Sequence, residues 1–248
     1  MREQLIKLNT YEYGNSVYKF TAENIEKAIN EINEPLTDGL VRTSEKIYDA
    51  LMLGKSYLEN LPDGTQKSFN LKYIDWDNIE NNVFHVTEEF QVESIDRQHN
   101  ARPDIVLFVN GIPFGVIECK APTVDTEQAI SQMIRNQNKE YIPQLFKFVQ
   151  IVMATNKNSA KYATCGTGKN FWCVWKEQDN ELCNKALDYG VVGREITVQD
   201  RNIVSLFLPQ RLLKLTKYFT LYDANIKKIC RYQQFFAVEE IIKTKSVI

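Results

Sequence analysis

A β-hairpin pattern between Asp104 and Ile117 constrains the fold more than any other feature of the sequence. Residues 104–109 and 114–117 are apolar and rich in β-branched side chains, which is typical of strands. Between them stands Asn110-Gly111, the dipeptide that most strongly favours a tight hairpin turn. We therefore predict two antiparallel strands joined at this turn.

Three charged residues interrupt the apolar hairpin: Asp104 at its start, and Glu118 and Lys120 at its end. Such charges need to be paired, to bind a metal or to take part in chemistry. Because side chains alternate along a strand, Glu118 and Lys120 share one face. A plain two-residue loop would place Asp104 opposite Ile117. We therefore predict a bulge or a three-residue loop, which places Asp104 opposite Glu118.

Two carboxylates that converge at a hairpin end form an all-oxygen site of the kind that suits Mg²⁺. A lysine beside them can hold and polarise a water molecule. A metal bound there polarises a phosphate and lowers the pKa of its water, which is the equipment for phosphodiester hydrolysis. The structural alternative is a charged hairpin end held together by a salt bridge.

The residues of this hairpin also resemble a known family. Pro103-Asp104 followed by Glu118-Cys119-Lys120 matches the PD-(D/E)xK nuclease signature. The whole segment 102–122, RPDIVLFVNGIPFGVIECKAP, resembles the nuclease core of type I restriction enzyme endonuclease (R, or HsdR) subunits. The resemblance implies a restriction-endonuclease-like α/β fold, in which helices flank a mixed β-sheet. The alternation of predicted strands and helices also favours an α/β domain.

The resemblance implies roles for the charged residues. Asp104 and Glu118 are expected to hold Mg²⁺, with the Cys119 carbonyl as a further ligand. Lys120 is expected to orient or activate the attacking water. In many nucleases of this class an earlier helix contributes another carboxylate, for which Glu45 is a candidate. A solvated helix glutamate is the alternative interpretation of Glu45.

A helix is predicted to begin at Asp125 or Thr126, and Gln132 lies about a quarter turn from its apolar stripe, facing the hairpin end. Many R subunits carry a Gln-x-x-x-Tyr motif at this place. Gln132 matches its first position and is expected to support the catalytic site, whereas Asn136 departs from its second position. The alternative is an exposed helix glutamine.

Residues 1–205 are predicted to form the endonuclease domain, and residues 206–248 a connecting helix and the beginning of a helicase-like motor. Residues 227–242 resemble the segment that opens the motor of R subunits, and Gln234 matches a glutamine that contacts adenine there. Without the rest of the motor, Gln234 could be an ordinary residue of an amphipathic helix. The segment 165–170, CGTGKN, resembles a phosphate-binding loop, but Ala163 and Asn170 replace its required glycine and hydroxyl residue, so we exclude nucleotide binding at Lys169.

The net charge of −2 excludes binding of nucleic acid by bulk positive charge, so contacts to DNA require a local patch. Lys157, Lys161 and Lys169 could contact phosphates from polar loops, and a solvated loop is the alternative. The two histidines, His85 and His99, are too far apart for a metal site by spacing, although His99 could lie near a phosphate.

No segment is long and apolar enough to span a membrane, and the N-terminus does not resemble a signal peptide. The five cysteines have no CxxC spacing, which favours reduced thiols in the cytoplasm over disulfides or zinc.

Hydrophobic periodicity predicts the remaining elements. We expect a short strand or an extended arm over residues 1–20, and a helix from Thr21, which would cap it. A second helix is predicted over 42–53, with Ile47, Leu51 and Leu53 inward and Gly54 as its end. Further strands are predicted over 82–92, 146–155 and 171–176, and one long helix over 203–221.

These features predict the Mg²⁺-dependent DNA endonuclease domain of a type I restriction R subunit. As the resemblance implies, the full enzyme would translocate double-stranded DNA with ATP, and separate specificity and modification subunits would join it. One alternative is a non-catalytic DNA-docking or structural fragment, which binding of a divalent metal would distinguish. The other is a different nuclease on the same core, such as a repair or resolvase type.

Overall fold

The computed structural model describes residues 1–95, 97–98, 100–178 and 180–245, so His99 lies outside the described residues. In chain order the helices and strands are α1 (Arg2–Leu8), β1 (Thr10–Tyr13), β2 (Ser16–Lys19), α2 (Ala22–Ile32), α3 (Leu40–Leu53), β3 (Lys55–Asn60), β4 (Gln66–Leu71), β5 (Phe84–Glu88), β6 (Ile105–Val109), β7 (Ile112–Cys119), α4 (Thr126–Asn136), α5 (Pro143–Phe146), β8 (Ile151–Asn156), β9 (Ser159–Ala163), α6 (Glu181–Gly190), α7 (Val198–Phe207), α8 (Pro209–Phe219), β10 (Thr220–Asp223), β11 (Ile226–Ile229) and α9 (Tyr232–Lys245).

A five-stranded mixed sheet in the order β5-β6-β7-β8-β9 organises the described residues. β7 and β8 are parallel, and the other neighbouring pairs are antiparallel. Every residue of β8 is buried, as expected for a central strand covered on both faces. Helices flank the sheet, and the predicted α/β class with a restriction-endonuclease-like core is confirmed.

Each face of the sheet has its own apolar cluster. On one side, Ala129, Ile130 and Met133 of α4 pack with Val116 and Val152 of the sheet. The second cluster contains side chains from β7 and β8 together with residues of α2, α3, α7 and α8. The alternation of side chains along β7 and β8 explains why neighbouring residues join different clusters.

The hairpin between β6 and β7 has the predicted irregularity. Asn110 and Gly111 form a two-residue turn, with φ of 54° and 83°, which matches the twist of the strands. The pairing shifts between Leu107 and Phe108, and Ile105 then pairs with Ile117. One further step in this register sets residue 104 opposite residue 118. The predicted bulge is thus confirmed, and it turns both carboxylates to the same face.

The Asn110 side chain fastens this turn to the preceding chain. It is buried and donates hydrogen bonds to the Tyr73 carbonyl (2.9 Å) and to Asn82 Oδ1 (2.8 Å). Its own oxygen accepts a hydrogen bond from the Val83 amide (2.8 Å). Asn110 therefore combines a left-handed backbone with three internal contacts, which hold β5 against the hairpin.

Two early helices follow the predictions. Thr21 caps α2 by accepting a hydrogen bond from the Asn24 amide. Helix α3 ends at Gly54, whose φ of 72° favours glycine. The inward position predicted for Leu53 is wrong, because its side chain is 74% exposed. Leu53 follows Leu51 by two residues and so points to the opposite side of the helix.

Two predictions near the chain ends are only partly correct. Within residues 1–20, the strand alternative agrees with β1 and β2, but residues 2–8 form α1, and Leu5 of this helix is fully buried in the core. The single helix predicted over 203–221 is divided into α7 and α8 at Leu208, which has an extended conformation. Pro209 follows and occupies the first turn of α8, because proline disfavours a helical conformation in the residue before it.

The segments around β8 and β9 also differ from the predictions. The strand predicted from residue 146 begins only at Ile151, since Phe146 ends α5 and residues 147–150 form a turn. Lys161 lies on β9, not in a loop. The strand predicted over 171–176 pairs with β9 through a single bridge, between Tyr162 and Cys173.

The C-terminal elements pack against the rest of the protein. Phe235 of α9 is buried beside Trp175, and Arg211 of α8 lies over the Phe235 ring (4.5 Å). Lys227 of β11 is buried and donates to Gln150 Oε1 (2.7 Å). The domain boundary predicted at 205/206 falls within α7 and stays a prediction. None of the helices in the described part of the chain is both long and apolar enough to cross a membrane.

Candidate active site

Asp104 and Glu118 meet where the hairpin ends. Asp104 precedes β6, and its Oδ2 accepts a hydrogen bond from the main-chain amide of Cys119 (2.7 Å). Glu118 lies on β7 next to the parallel strand β8, and its side chain is only 1% exposed. The amide contact holds the Asp104 carboxylate against the end of β7, so both acids lie at the same end of the hairpin.

Lys120 follows directly after β7 and faces Glu118. Its main-chain amide donates to the Thr155 carbonyl of β8 (2.9 Å), which continues the parallel pairing by one residue. Its Nζ donates to Glu118 Oε1 (3.1 Å) and to Gln132 Oε1 (2.8 Å). The structure therefore joins Asp104, Glu118, Lys120 and Gln132 in one cluster.

Burial dominates the electrostatics of this cluster. Desolvation, followed by the charge of Asp104, raises the pKa of Glu118 to about 7, although Lys120 acts in the opposite direction. Desolvation also raises the pKa of the Cys119 thiol to about 11, with smaller contributions from Asp104 and Glu118. At neutral pH the Cys119 thiol is therefore protonated, whereas Glu118 is close to its midpoint.

The residues at the hairpin end fit a hard divalent cation. Glu118 Oε2 is buried and accepts no hydrogen bond from the described residues, which is costly for a carboxylate. No cluster of three or more His, Cys, Asp or Glu side chains suited to a metal occurs within the described ranges. Two carboxylates nevertheless suffice for Mg²⁺, which commonly keeps several waters and binds through one or two carboxylates.

Gln132 and Asn136, which stand at the two positions of the Gln-x-x-x-Tyr motif, have different surroundings. Gln132 is half-buried on α4, with its oxygen on Lys120. Asn136, at the end of α4, is buried, and its carbonyl accepts a hydrogen bond from the Ile142 amide (3.0 Å). Asn136 therefore has a structural contact of its own, which ties the end of α4 to the chain before α5.

Glu45 lies on α3 at a different place. Burial raises the pKa of Tyr222 on β10, and the charge of Glu45 adds to this effect, so Glu45 lies near the β10–β11 hairpin. Since the described residues hold no cluster of three acidic or metal-binding side chains, Glu45 does not join Asp104 and Glu118. Its role as a further metal ligand is not supported by this arrangement.

The lysines predicted to contact DNA have different partners. Lys157 is exposed in the turn between β8 and β9. Lys161 forms an ion pair with Glu127 of α4 (2.5 Å), and Lys169 approaches the same carboxylate (3.3 Å). Thus Glu127, which the sequence did not single out, links α4 to two cations from later parts of the chain.

Gln234 lies at the beginning of α9 and is exposed. Its Oε1 accepts a hydrogen bond from the Arg231 amide (2.8 Å), so the side chain satisfies a main-chain donor at the helix start. This contact is that of a helix cap, and the predicted contact to adenine stays a prediction.

Sequence reasoning missed the polar face of α4. Gln128, Ser131, Gln132 and Arg135 recur at spacings of three and four residues, and all of them line a surface groove that also contains Lys120. This helical spacing was available in the sequence.

Comparison with known families shows which family the chain belongs to. The sequence model of the family described as type I restriction enzyme R protein N terminus (HSDR_N) matches residues 1–171. The chain belongs to this family. The match includes the hairpin, Lys120 and α4, and so every member of the cluster at the hairpin end.

Individual relatives carry names of the same kind. A putative type I restriction enzyme MjaIXP endonuclease subunit of Methanocaldococcus jannaschii is 28% identical over 240 residues, which covers 87% of this chain and 23% of the relative. The type I restriction enzyme HindI endonuclease subunit of Haemophilus influenzae is 25% identical, covering 89% of this chain and 22% of the relative. The type I restriction enzyme EcoprrI endonuclease subunit of Escherichia coli is 24% identical, covering 99% of this chain and 72% of the relative. The chain thus spans less than a quarter of the length of the first two relatives.

Proposed function

We propose that this chain is the Mg²⁺-dependent DNA endonuclease domain of a type I restriction R subunit. One observation carries the proposal: Asp104, Glu118 and Lys120 converge at the bulged end of one hairpin, and a buried oxygen of Glu118 has no donor among the described residues. A buried acid without a donor is costly for stability, so a ligand of positive charge is the natural partner.

Each residue of the cluster has a distinct role in this proposal. Asp104 and Glu118 would hold the metal, together with the Cys119 carbonyl. When bound, Mg²⁺ supplies Lewis-acid catalysis and lowers the pKa of its water. The Cys119 amide keeps Asp104 oriented (2.7 Å). Lys120 orients the attacking water and offers positive charge to the phosphate.

Gln132 acts through Lys120. Its Oε1 accepts a hydrogen bond from Lys120 Nζ (2.8 Å), which restricts the long lysine side chain to the vicinity of Glu118. A lysine has about 2 kcal/mol of rotamer entropy to lose, so a fixed acceptor favours the arrangement needed for reaction. We therefore assign Gln132 as a positioning residue.

The activity of the whole subunit is part of the same proposal. The relatives are named as endonuclease subunits of type I restriction enzymes. We propose that the full-length subunit moves double-stranded DNA with ATP and works in the cytoplasm with modification and specificity subunits. Gln234 would contact adenine only when the complete motor is present.

Metal binding and cleavage test the proposal. Mg²⁺ and Mn²⁺ are titrated by calorimetry into the wild type, Asp104→Asn and Glu118→Gln, with Glu181→Gln as a control at an exposed glutamate. We expect the site variants to bind at least about tenfold more weakly, because a direct ligand should matter no less than an outer-shell residue. In the reconstituted complex they should not cut DNA, while circular dichroism shows an intact fold. A folded Asp104→Asn protein that cuts at the wild-type rate would contradict the assignment.

Two further variants separate the metal-binding role of the carboxylates from the roles of Lys120 and Gln132. Lys120→Ala and Gln132→Ala should retain metal binding but lose cleavage, with the larger loss for Lys120→Ala. If neither the wild type nor any variant binds metal, and the reconstituted complex also fails to cut, the hairpin end is a structural ion pair. The chain would then be a docking platform.

A further inference from the structure

A polar groove lies beside the proposed catalytic cluster. It has a volume of about 460 Å³ and is lined by the end of β7, the exposed face of α4 and the segment that begins at Lys169. Lys120, Arg135 and Lys169 contribute positive charge to the lining, and Glu127 contributes negative charge. Because Lys120 belongs to both, the groove opens directly onto the residues that would act on a phosphate.

The face of α4 supplies regularly spaced polar groups. Gln128, Gln132 and Arg135 lie within seven residues of one another and line the same groove. A helix rises 1.5 Å per residue, so these side chains extend over about 10 Å. One DNA strand carries a phosphate for about every 3.4 Å along the duplex axis. Measured along the duplex axis, this length corresponds to about three nucleotides of one strand.

Arg135 is available for a ligand. It is exposed, and its guanidinium lies over the Tyr141 ring (5.4 Å). No carboxylate lies within ion-pair distance of it in the described part of the chain. A guanidinium that lies over an aromatic ring keeps its fork of donors for a phosphate.

Glu127 also lines the groove, but its carboxylate already pairs with two lysines. Its Oε1 pairs with Lys161 (2.5 Å), and its Oε2 approaches Lys169 (3.3 Å). The hydrogen bond from Lys161 lowers the pKa of Glu127, so this carboxylate is ionised at neutral pH. A carboxylate shared by two lysines satisfies the same donors that a phosphate would contact.

We propose that this groove binds the DNA backbone beside the bond to be cut, with Arg135 and Lys169 as phosphate contacts. Glu127 is a built-in competitor, which holds Lys169 until a phosphate replaces the carboxylate. Lys161 remains with Glu127 and keeps it in place. The inference rests on the proposed endonuclease function, and it adds residues that position DNA and one acid that weakens binding.

A DNA-binding assay tests the groove without cleavage. The anisotropy of a fluorescent 30-bp duplex is measured with the 248-residue chain in EDTA, over a series of salt concentrations. We expect Arg135→Gln and Lys169→Ala each to weaken binding about three- to tenfold and to lower the salt slope by about one. Glu127→Gln should bind several-fold more tightly, because the competitor is lost. The exposed pair Lys185 and Glu181 on α6 gives matched controls, Lys185→Ala and Glu181→Gln, which should bind like the wild type.

Several results would overturn this proposal. If the groove variants bind the duplex as tightly as the controls, the groove is not a DNA-binding site. The same conclusion follows if the wild type does not bind the duplex at low salt. Glu127→Gln that binds more weakly would exclude the competitor. The Glu118→Gln variant separates this proposal from the catalytic one. Cleavage by Glu118→Gln in the full complex would refute the catalytic assignment, whereas the anisotropy data would still report on the groove.

Discussion

Replacement of Glu118 by Gln should change how the stability of the metal-free protein depends on pH. Glu118 is buried next to Asp104, and among the described residues Lys120 offsets its charge. Ionisation therefore costs more in the folded chain than in the unfolded chain. Glutamine has nearly the same shape and keeps an oxygen for Lys120 Nζ, so the substitution mainly removes the ionisation.

The magnitude follows from the raised pKa. The pKa of Glu118 is about 7 in the folded protein, compared with 4.5 for an ordinary glutamate. Below pH 4.5 the proton is bound in both states, and the stabilisation due to protonated Glu118 is fully present. As the pH rises towards 7, this stabilisation is lost. At 1.36 kcal/mol per pKa unit, the loss amounts to about 3 kcal/mol.

Urea unfolding in EDTA at pH values from 4.5 to 8 measures this effect. The free energy of unfolding of Glu118→Gln, relative to that of the wild type, should rise by about 3 kcal/mol over this range. The exposed Glu181→Gln variant serves as the control, and its difference from the wild type should change little with pH. In buffer without EDTA, free Mg²⁺ at ten times its dissociation constant for the wild type should stabilise the wild type at pH 8 by about 1.4 kcal/mol and Glu118→Gln by no more than about 0.4 kcal/mol.

A constant difference between Glu118→Gln and the wild type across this pH range would refute the argument. Glu118 would then ionise as easily in the folded protein as in water, and the buried oxygen would have a partner in solution. A difference that falls with rising pH would reverse the sign and would mean that Lys120 dominates over burial.

Two other substitutions test the framework that carries the site. Asn110→Ala should lower the free energy of unfolding by about 2–4 kcal/mol, because it places alanine at a positive φ and removes the contacts to Tyr73 and Asn82. Asn110→Gly should lower it less, because glycine adopts a positive φ readily. Equal losses for the two variants in urea unfolding would contradict the backbone part of this reasoning. Arg211→Met should cost about 3–5 kcal/mol, because it leaves the largely buried Glu177 without its ion pair (3.2 Å). In the same assay, adding Glu177→Gln to Arg211→Met should recover part of the stability that Arg211→Met loses. If the loss in the double variant equals the sum of the losses in the two single variants, the ion pair does not account for the effect.

Local patterns predicted much of the candidate site. The hairpin, its turn and the need for a bulge followed from residues 104–118, because strand side chains alternate and Asn-Gly selects a tight turn. The placement of Gln132 on the side of α4 that faces the hairpin end followed from the phase of one amphipathic helix. These features depend on short stretches of chain, so a sequence pattern can specify them.

Contacts between distant segments were not predicted. Glu127 meets Lys161 across 34 positions of the sequence, and Gln199 of α7 donates to the Cys119 thiol across 80 positions. The break at Leu208 was missed although Pro209 marked it, because the apolar spacing continues through both helices. Such contacts depend on how the helices and the sheet pack together, which no local pattern specifies.

The sequence by itself determined which residues could form a metal-binding and catalytic cluster, and the turn chemistry that brings Asp104 towards Glu118. Only the tertiary structure decided that Glu118 is desolvated, that one of its oxygens has no donor among the described residues, and that a groove extends from Lys120 along α4. The physical reason is that turns and helical phases arise from neighbouring residues, whereas desolvation and surface shape arise from all the atoms packed around a site.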